Sequence, residues 1–206
     1  MIILTTKDLK SYIGKYITHV RPQSVISYND FRKFMSDSTK SDAEKAKKLI
    51  LGHHQWYFPN FHKAEYGKLL NEVELIKPWN KSYSHCKNFE DLYKDVEKWL
   101  KRMWIGQLTI YDVALRIAVC LNVPHLYPKY FVYIHAKPLT AYKDLVNRGI
   151  IKTKNPLKHD GTVPFEDLSP FFPGLTAIEI EDILCYIAKK MNIPTTPSKS
   201  KPVCFS

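Results

Sequence analysis

Among the places in this chain where a Ser, Thr or Asn stands three residues before an Asp or Glu, five open an apolar stripe: Thr5/Asp8, Ser41/Glu44, Asn88/Asp91, Thr109/Asp112 and Thr176/Glu179. Each pair is followed by apolar residues at helical spacing. Such pairs start helices because the first residue's side chain accepts an orphan amide of the first turn while the acid reaches back to the cap. The stripes behind them are Leu9, Tyr12, Ile13 and Tyr16; Ala46, Leu49 and Ile50; Leu92, Val96, Trp99 and Leu100; Val113, Ala114, Ile117 and Ala118; and Ile180, Ile183, Leu184 and Ile187. Another helix is predicted from near Asn60 to Ile76, with Phe61, Tyr66, Leu69, Leu70 and Val73 inward. Stops are also legible: Pro124 ends the fourth stripe near Asn122, and Gly149 ends a helix over Thr140 to Arg148. Between them Tyr127 to Ala136 is aromatic and β-branched and predicts a short strand or buried extended segment. The expected fold class is therefore mainly α, one compact helical domain over residues 1–193 with a short extended segment near 130–136. A tail of Pro, Ser and Lys over 194–206 is expected to be disordered.

With 45% apolar and 13% aromatic residues, 206 residues can bury a core without disulfide support. Cys86, Cys120, Cys185 and Cys204 are widely spaced with no C-x-x-C pair, and Cys120 and Cys185 read as small core hydrophobes. Met1-Ile2-Ile3-Leu4 is too short an apolar run for a signal segment, and no window reaches membrane-spanning length. The expectation is a cytoplasmic protein with no membrane partner.

The net charge is +11, unevenly spread. Between Val113 and Lys158 stand Arg116, Lys129, Lys137, Lys143, Arg148, Lys152, Lys154 and Lys158 against the single acid Asp144. From His159 to Cys185 the acids Asp160, Glu166, Asp167, Glu179, Glu181 and Asp182 have no Lys or Arg among them. Segregation of this kind predicts a basic face that attracts a polyanion, although high lysine content also occurs in proteins that bind none.

Where would a polyanion be held? The helix from Asn88 ends in Lys101-Arg102, and the chain turns through Trp104-Ile105-Gly106-Gln107 before Thr109 opens the next helix, with Leu108 and Val113 placed as a hydrophobic staple. A tight turn containing glycine lets a phosphate approach the unpaired amides of a helix N-terminus. Such contacts position a nucleic acid without reading its sequence. The candidate binding residues are Lys101, Arg102, Trp104, Ile105, Gly106, Gln107 and Thr109, with Lys137 and Lys143 adding salt-dependent affinity. An ordinary helix corner, with Gly106 ending one helix and Thr109 starting the next, would give the same letters.

Trp104-Ile105-Gly106-Gln107-Leu108-Thr109, the apolar helix, and then Val132-Tyr133-Ile134-His135 resemble the core of the helix-hairpin-helix DNA glycosylases. That superfamily has a Gly-hydrophobe-Gly hairpin, a Thr-led helix and a Val-Asp-Thr-His-like segment. The resemblance spans about Trp99 to Leu145, with the hairpin unit itself at about 89–122. It implies a scaffold that holds DNA, but the departures bear on chemistry. Trp104 stands where the first hairpin glycine is expected, Leu108 where bifunctional members carry a nucleophilic lysine, and Tyr133 where the family places its catalytic aspartate. The loop from Leu121 to Tyr130 is also longer than usual. Base excision needs a carboxylate beside the flipped nucleotide, and neither Leu nor Tyr supplies one. The implied function is a non-catalytic or atypical DNA-binding protein, with RNA as the alternative polyanion and catalytic residues unknown. A glycosylase- or nuclease-like enzyme would need a relocated carboxylate, with Asp112 and Asp144 first to inspect. A protein-interaction module would instead expose an apolar patch around Phe165, Phe171 and Phe172.

Remaining candidates are weaker. His53, His54, His62 and Glu65 form the densest potential metal or acid–base group, but Trp56, Tyr57, Phe58 and Phe61 between them read as an aromatic turn. Those aromatics could stack on a base, and equally they could be core. Ser84-His85-Cys86 sets a thiol beside an imidazole, though sequence adjacency is not the geometry nucleophilic catalysis uses. Glu179, Glu181 and Asp182 read as solvated helix acids. No P-loop, dinucleotide fingerprint or zinc pattern is present, so no cofactor or metal is expected.

Overall fold

The computed structural model describes residues 5–51, 83–100, 107–155, 157–158 and 161–190. The described chain is mainly helical, with one two-stranded sheet. It divides into two compact units, residues 1–25 with 128–206 and residues 26–127. The predicted helix at 60–76, the histidine and aromatic group at 53–65 and the tail from 194 lie outside the described residues.

In the first unit, α1 (Thr6–Lys15) starts at the predicted box: the Thr5 amide donates to Asp8 Oδ2 at 2.8 Å and the Asp8 amide to Thr5 Oγ1 at 3.3 Å. A π-helical turn (Tyr16–Val20) leads into α2 (Arg21–Ser36), within which the division between units falls. Strand β1 (Phe131–Tyr133) pairs antiparallel with β2 (Thr162–Pro164), with Val132 opposite Val163. Between them runs α6 (Ala136–Asn147), and after β2 come a single turn, α7 (Phe165–Leu168), and α8 (Ala177–Lys190). The helix predicted from Thr140 thus begins earlier and ends where expected. Gly149 has φ +68°, a left-handed conformation that glycine adopts at no steric cost, and its amide bonds the Val146 carbonyl at 2.9 Å.

Helix α8 packs on both α6 and β1. Its stripe Ile180, Ile183, Leu184 and Ile187 is fully enclosed with Val132, Ile134, Leu145, Val163 and Phe172. Thr176 and Glu179 cap it reciprocally, at 2.8 and 3.4 Å. The acids of this helix are engaged in the fold: Tyr16 donates its hydroxyl to Asp182 at 2.9 Å, and Arg21 Nη2 donates to Glu179 at 3.2 Å. The apolar patch expected around Phe172 is not an exposed one. Phe172 has no exposed surface and Phe165 and Phe171 pack against the same core, because the turns after β2 fold back under α8.

In the second unit, α3 (Asp42–Leu51) begins at the Ser41/Glu44 box, and α4 (Phe89–Leu100) begins where Asn88 Oδ1 accepts the Asp91 amide at 2.9 Å. Helix α5 (Gln107–Leu121) packs against both α3 and α4. Ile110, Val113, Ala114, Ile117, Ala118 and Val119 are buried around most of its circumference, as expected for a central helix. Arg116 joins it to α3 by donating to the Leu49 carbonyl at 2.9 Å. At its end Asn122 takes φ +53°, and its side chain accepts from Arg32 at 3.0 Å.

Candidate nucleic-acid interface

Helices α4 and α5 pack together and are joined by the six residues 101–106, the arrangement a helical hairpin requires. Of the sequence-predicted hairpin residues, Lys101, Arg102, Trp104, Ile105 and Gly106 lie outside the described residues. Gln107 is the first described residue of α5 and faces α4: its Oε1 accepts from Tyr93 at 2.7 Å and its Nε2 donates to Glu97 at 3.3 Å. The side chain is thereby committed to α4, not to the turn before it.

The expected Thr109/Asp112 cap is corrected by the structure. The chain is already helical at Gln107, so Thr109 lies within the helix and not at its cap. Asp112 instead pairs with Arg116 one turn on, at 3.4 Å. Leu108, expected to staple against Val113, is partly exposed on the helix while Val113 is buried. The pairing with Arg116 overrides the capping pattern because burial of the guanidinium demands a counter-charge; that burial holds the Arg116 pKa below its ordinary value, and Asp112 opposes the shift.

Asp144, the other carboxylate singled out, accepts from Arg148 Nε at 2.6 Å. Tyr133 is buried in β1 opposite Thr162. The two arginines of the basic 113–158 segment are thus held by carboxylates on their own helices. Its lysines, Lys129, Lys137, Lys143, Lys152, Lys154 and Lys158, are all exposed. Lys137 and Lys143 do not make one cluster: six positions apart on α6, they project about 120° from each other.

A groove that sequence reasoning missed lies beside β1. Tyr130, 65% exposed, lines it with Phe131, Asn155, Leu157, Lys158, Pro164 and the acid Glu166, around a volume of about 580 Å³. Lys158 Nζ sits 4.2 Å from the centroid of the Phe131 ring, a cation–π distance. Exposed Lys129 and Lys154 adjoin Tyr130 and Asn155 in the chain. The loop carrying Lys154 and Lys158 is held by buried Asp167, which accepts from the Asn155 amide at 3.1 Å and from its Nδ2 at 2.9 Å. An exposed aromatic ring among lysines can stack on a base while ammonium groups meet phosphates. The usable signal is Lys129-Tyr130-Phe131, a lysine beside two aromatics within the segment Tyr127 to Ala136 predicted as a short strand or buried extended segment.

The thiol beside an imidazole does not form a nucleophile. Cys86 Sγ and Asp95 Oδ2 both meet the same ring nitrogen of His85, so the imidazole has no separate nitrogen relaying between acid and thiol. Burial first, then the nearby charges of Asp95 and Asp91, push the Cys86 thiol up to about 11, away from the reactive thiolate.

No helix among the described residues is long and apolar enough to cross a membrane. The chain matches no family model, and no curated protein or solved structure matches it.

Proposed function

We propose that this protein binds nucleic acid through the sugar–phosphate backbone, as an atypical or non-catalytic DNA-binding protein of helix-hairpin-helix type. The observation that carries the proposal is the division among its cations: in the basic segment Arg116 and Arg148 are tied to Asp112 and Asp144, while six lysines project into solvent. Three of these stand at or beside the Tyr130 groove, where stacking and phosphate contacts can be made together. The packed α4–α5 pair brings the ends joined by residues 101–106 together, where a second backbone contact would be made. Cys86, Cys120 and Cys185 are free thiols, which agrees with a reducing cytoplasm.

Fluorescence anisotropy with short single-stranded DNA, duplex DNA and RNA at low salt tests the proposal. Binding is expected for at least the DNA probes, weakened in both Gly106→Glu and Lys158→Ala with the far-UV spectrum unchanged. Absence of binding to every probe would refute it; binding unchanged in Gly106→Glu would remove the hairpin from the interface.

A further inference from the structure

Three donor atoms of different chemistry converge at the start of α4. His85 Nε2 hydrogen-bonds Asp95 Oδ2, Cys86 Sγ lies 3.7 Å from that nitrogen, and the same sulfur lies 3.8 Å from that oxygen. It is the one group of its kind among the described residues, with all three atoms within 4.8 Å of one another. Local structure explains the convergence. Tyr83 to His85 form a turn, Asn88 caps α4, and Asp95 lies on the second turn of that helix, facing back over the cap. Cys86 is 3% exposed and anchors the group from within, while His85 is at the surface.

We infer that His85, Cys86 and Asp95 form a binding site for a zinc-class divalent cation, with one coordination position left to solvent.

The donor set decides the class of ion. A sulfur, an imidazole nitrogen and one carboxylate oxygen suit a borderline-soft cation such as Zn²⁺; Mg²⁺ and Ca²⁺ take oxygen ligands. The spacing fits as well. In a tetrahedral site with Zn–S ~2.3 Å and Zn–N ~2.0 Å, sulfur-to-ligand edges are ~3.6 Å, close to the two sulfur distances here. The nitrogen–oxygen pair must open to ~3.3 Å, and the exposed His85 side chain is free to make that movement. On binding, the ion replaces the hydrogen bond between His85 and Asp95 and the thiol proton of Cys86, which leaves to bulk water. Lys98 Nζ approaches the other carboxylate oxygen, Asp95 Oδ1, at 3.7 Å and so leaves Oδ2 to the ion. The fourth position falls on the solvent side, beside His85, and would hold water. The site needs nothing from the nucleic-acid proposal and can stand if that proposal fails.

Cobalt(II) chloride titrated into the full reduced chain tests the site. Expected is one equivalent bound with a thiolate-to-cobalt charge-transfer band and the intense visible bands of four-coordination, both abolished by one equivalent of Zn²⁺. His85→Ala, at an exposed position that leaves the fold intact, should weaken Zn²⁺ binding at least ~10-fold in competition with a chromophoric chelator. Cys86→Ser should lose the charge-transfer band. No thiolate band in the native chain, a band that persists in Cys86→Ser, or unchanged affinity in His85→Ala would each overturn the assignment.

Discussion

The Tyr93 hydroxyl donates to Gln107 Oε1 at 2.7 Å, tying the middle of α4 to the first described residue of α5. Gln107 Nε2 in turn donates to Glu97, so one side chain spans two positions of the preceding helix. Tyr93→Phe removes one arm of this clamp with little change in packing. It should cost about 1 kcal/mol in urea denaturation with unchanged helix content. An unaltered midpoint would mean that packing alone holds α4 and α5 together.

Gly161 holds φ +80°, and a β-carbon there would lie 2.5 Å from both Cε1 and Nδ1 of the His135 ring. Its carbonyl accepts the Ile134 amide at 2.7 Å, extending the β1–β2 ladder by one bond, so the turn cannot move away freely. Gly161→Ala should destabilise the first unit by more than ~1 kcal/mol, from backbone strain and the clash together. A double-mutant cycle with His135→Ala isolates the clash: the double variant should lose less than the sum of the two single losses. Strict additivity would attribute the whole effect to the backbone.

Cys120 is pushed from its ordinary value of 9.0 up to about 12 by burial, with Arg32 opposing the shift. A raised thiol pKa in the folded chain means the folded state keeps a proton that the unfolded chain loses first. Its contribution to stability is therefore complete below pH 9 and is lost as pH rises towards about 12. Denaturation midpoints measured across that window should fall less steeply in Cys120→Ala than in the native chain. Parallel slopes would contradict the assignment.

Much of the helical framework was legible because capping is local. Thr5, Ser41, Asn88 and Thr176 each accept the amide their spacing predicted. Thr109 carries the same pattern and fails, since it already lies within a helix and Asp112 pairs with half-buried Arg116 on the next turn, a demand invisible in a three-residue window. Gly149 was readable as a helix stop, whereas the need for glycine at 161 comes from His135, distant in sequence. The same distinction applies to the sites. Basic residues between 113 and 158 could be counted, but only the fold separates the arginines held by carboxylates from the exposed lysines. His85 and Cys86 were visible as neighbours; Asp95 joins them only because one and a half turns of helix bring it back over the cap.

The central claim is that exposed lysines hold a phosphate backbone, and its most direct test is the salt dependence of affinity. For a duplex held by three phosphate contacts, log K should fall against log salt with a slope of about −2.7, and of about −2 for a single strand. Lys154→Ala with Lys158→Ala should make the duplex slope shallower by about 1.8. A flat line for the native chain, or a slope unchanged by removing both lysines, would contradict the account.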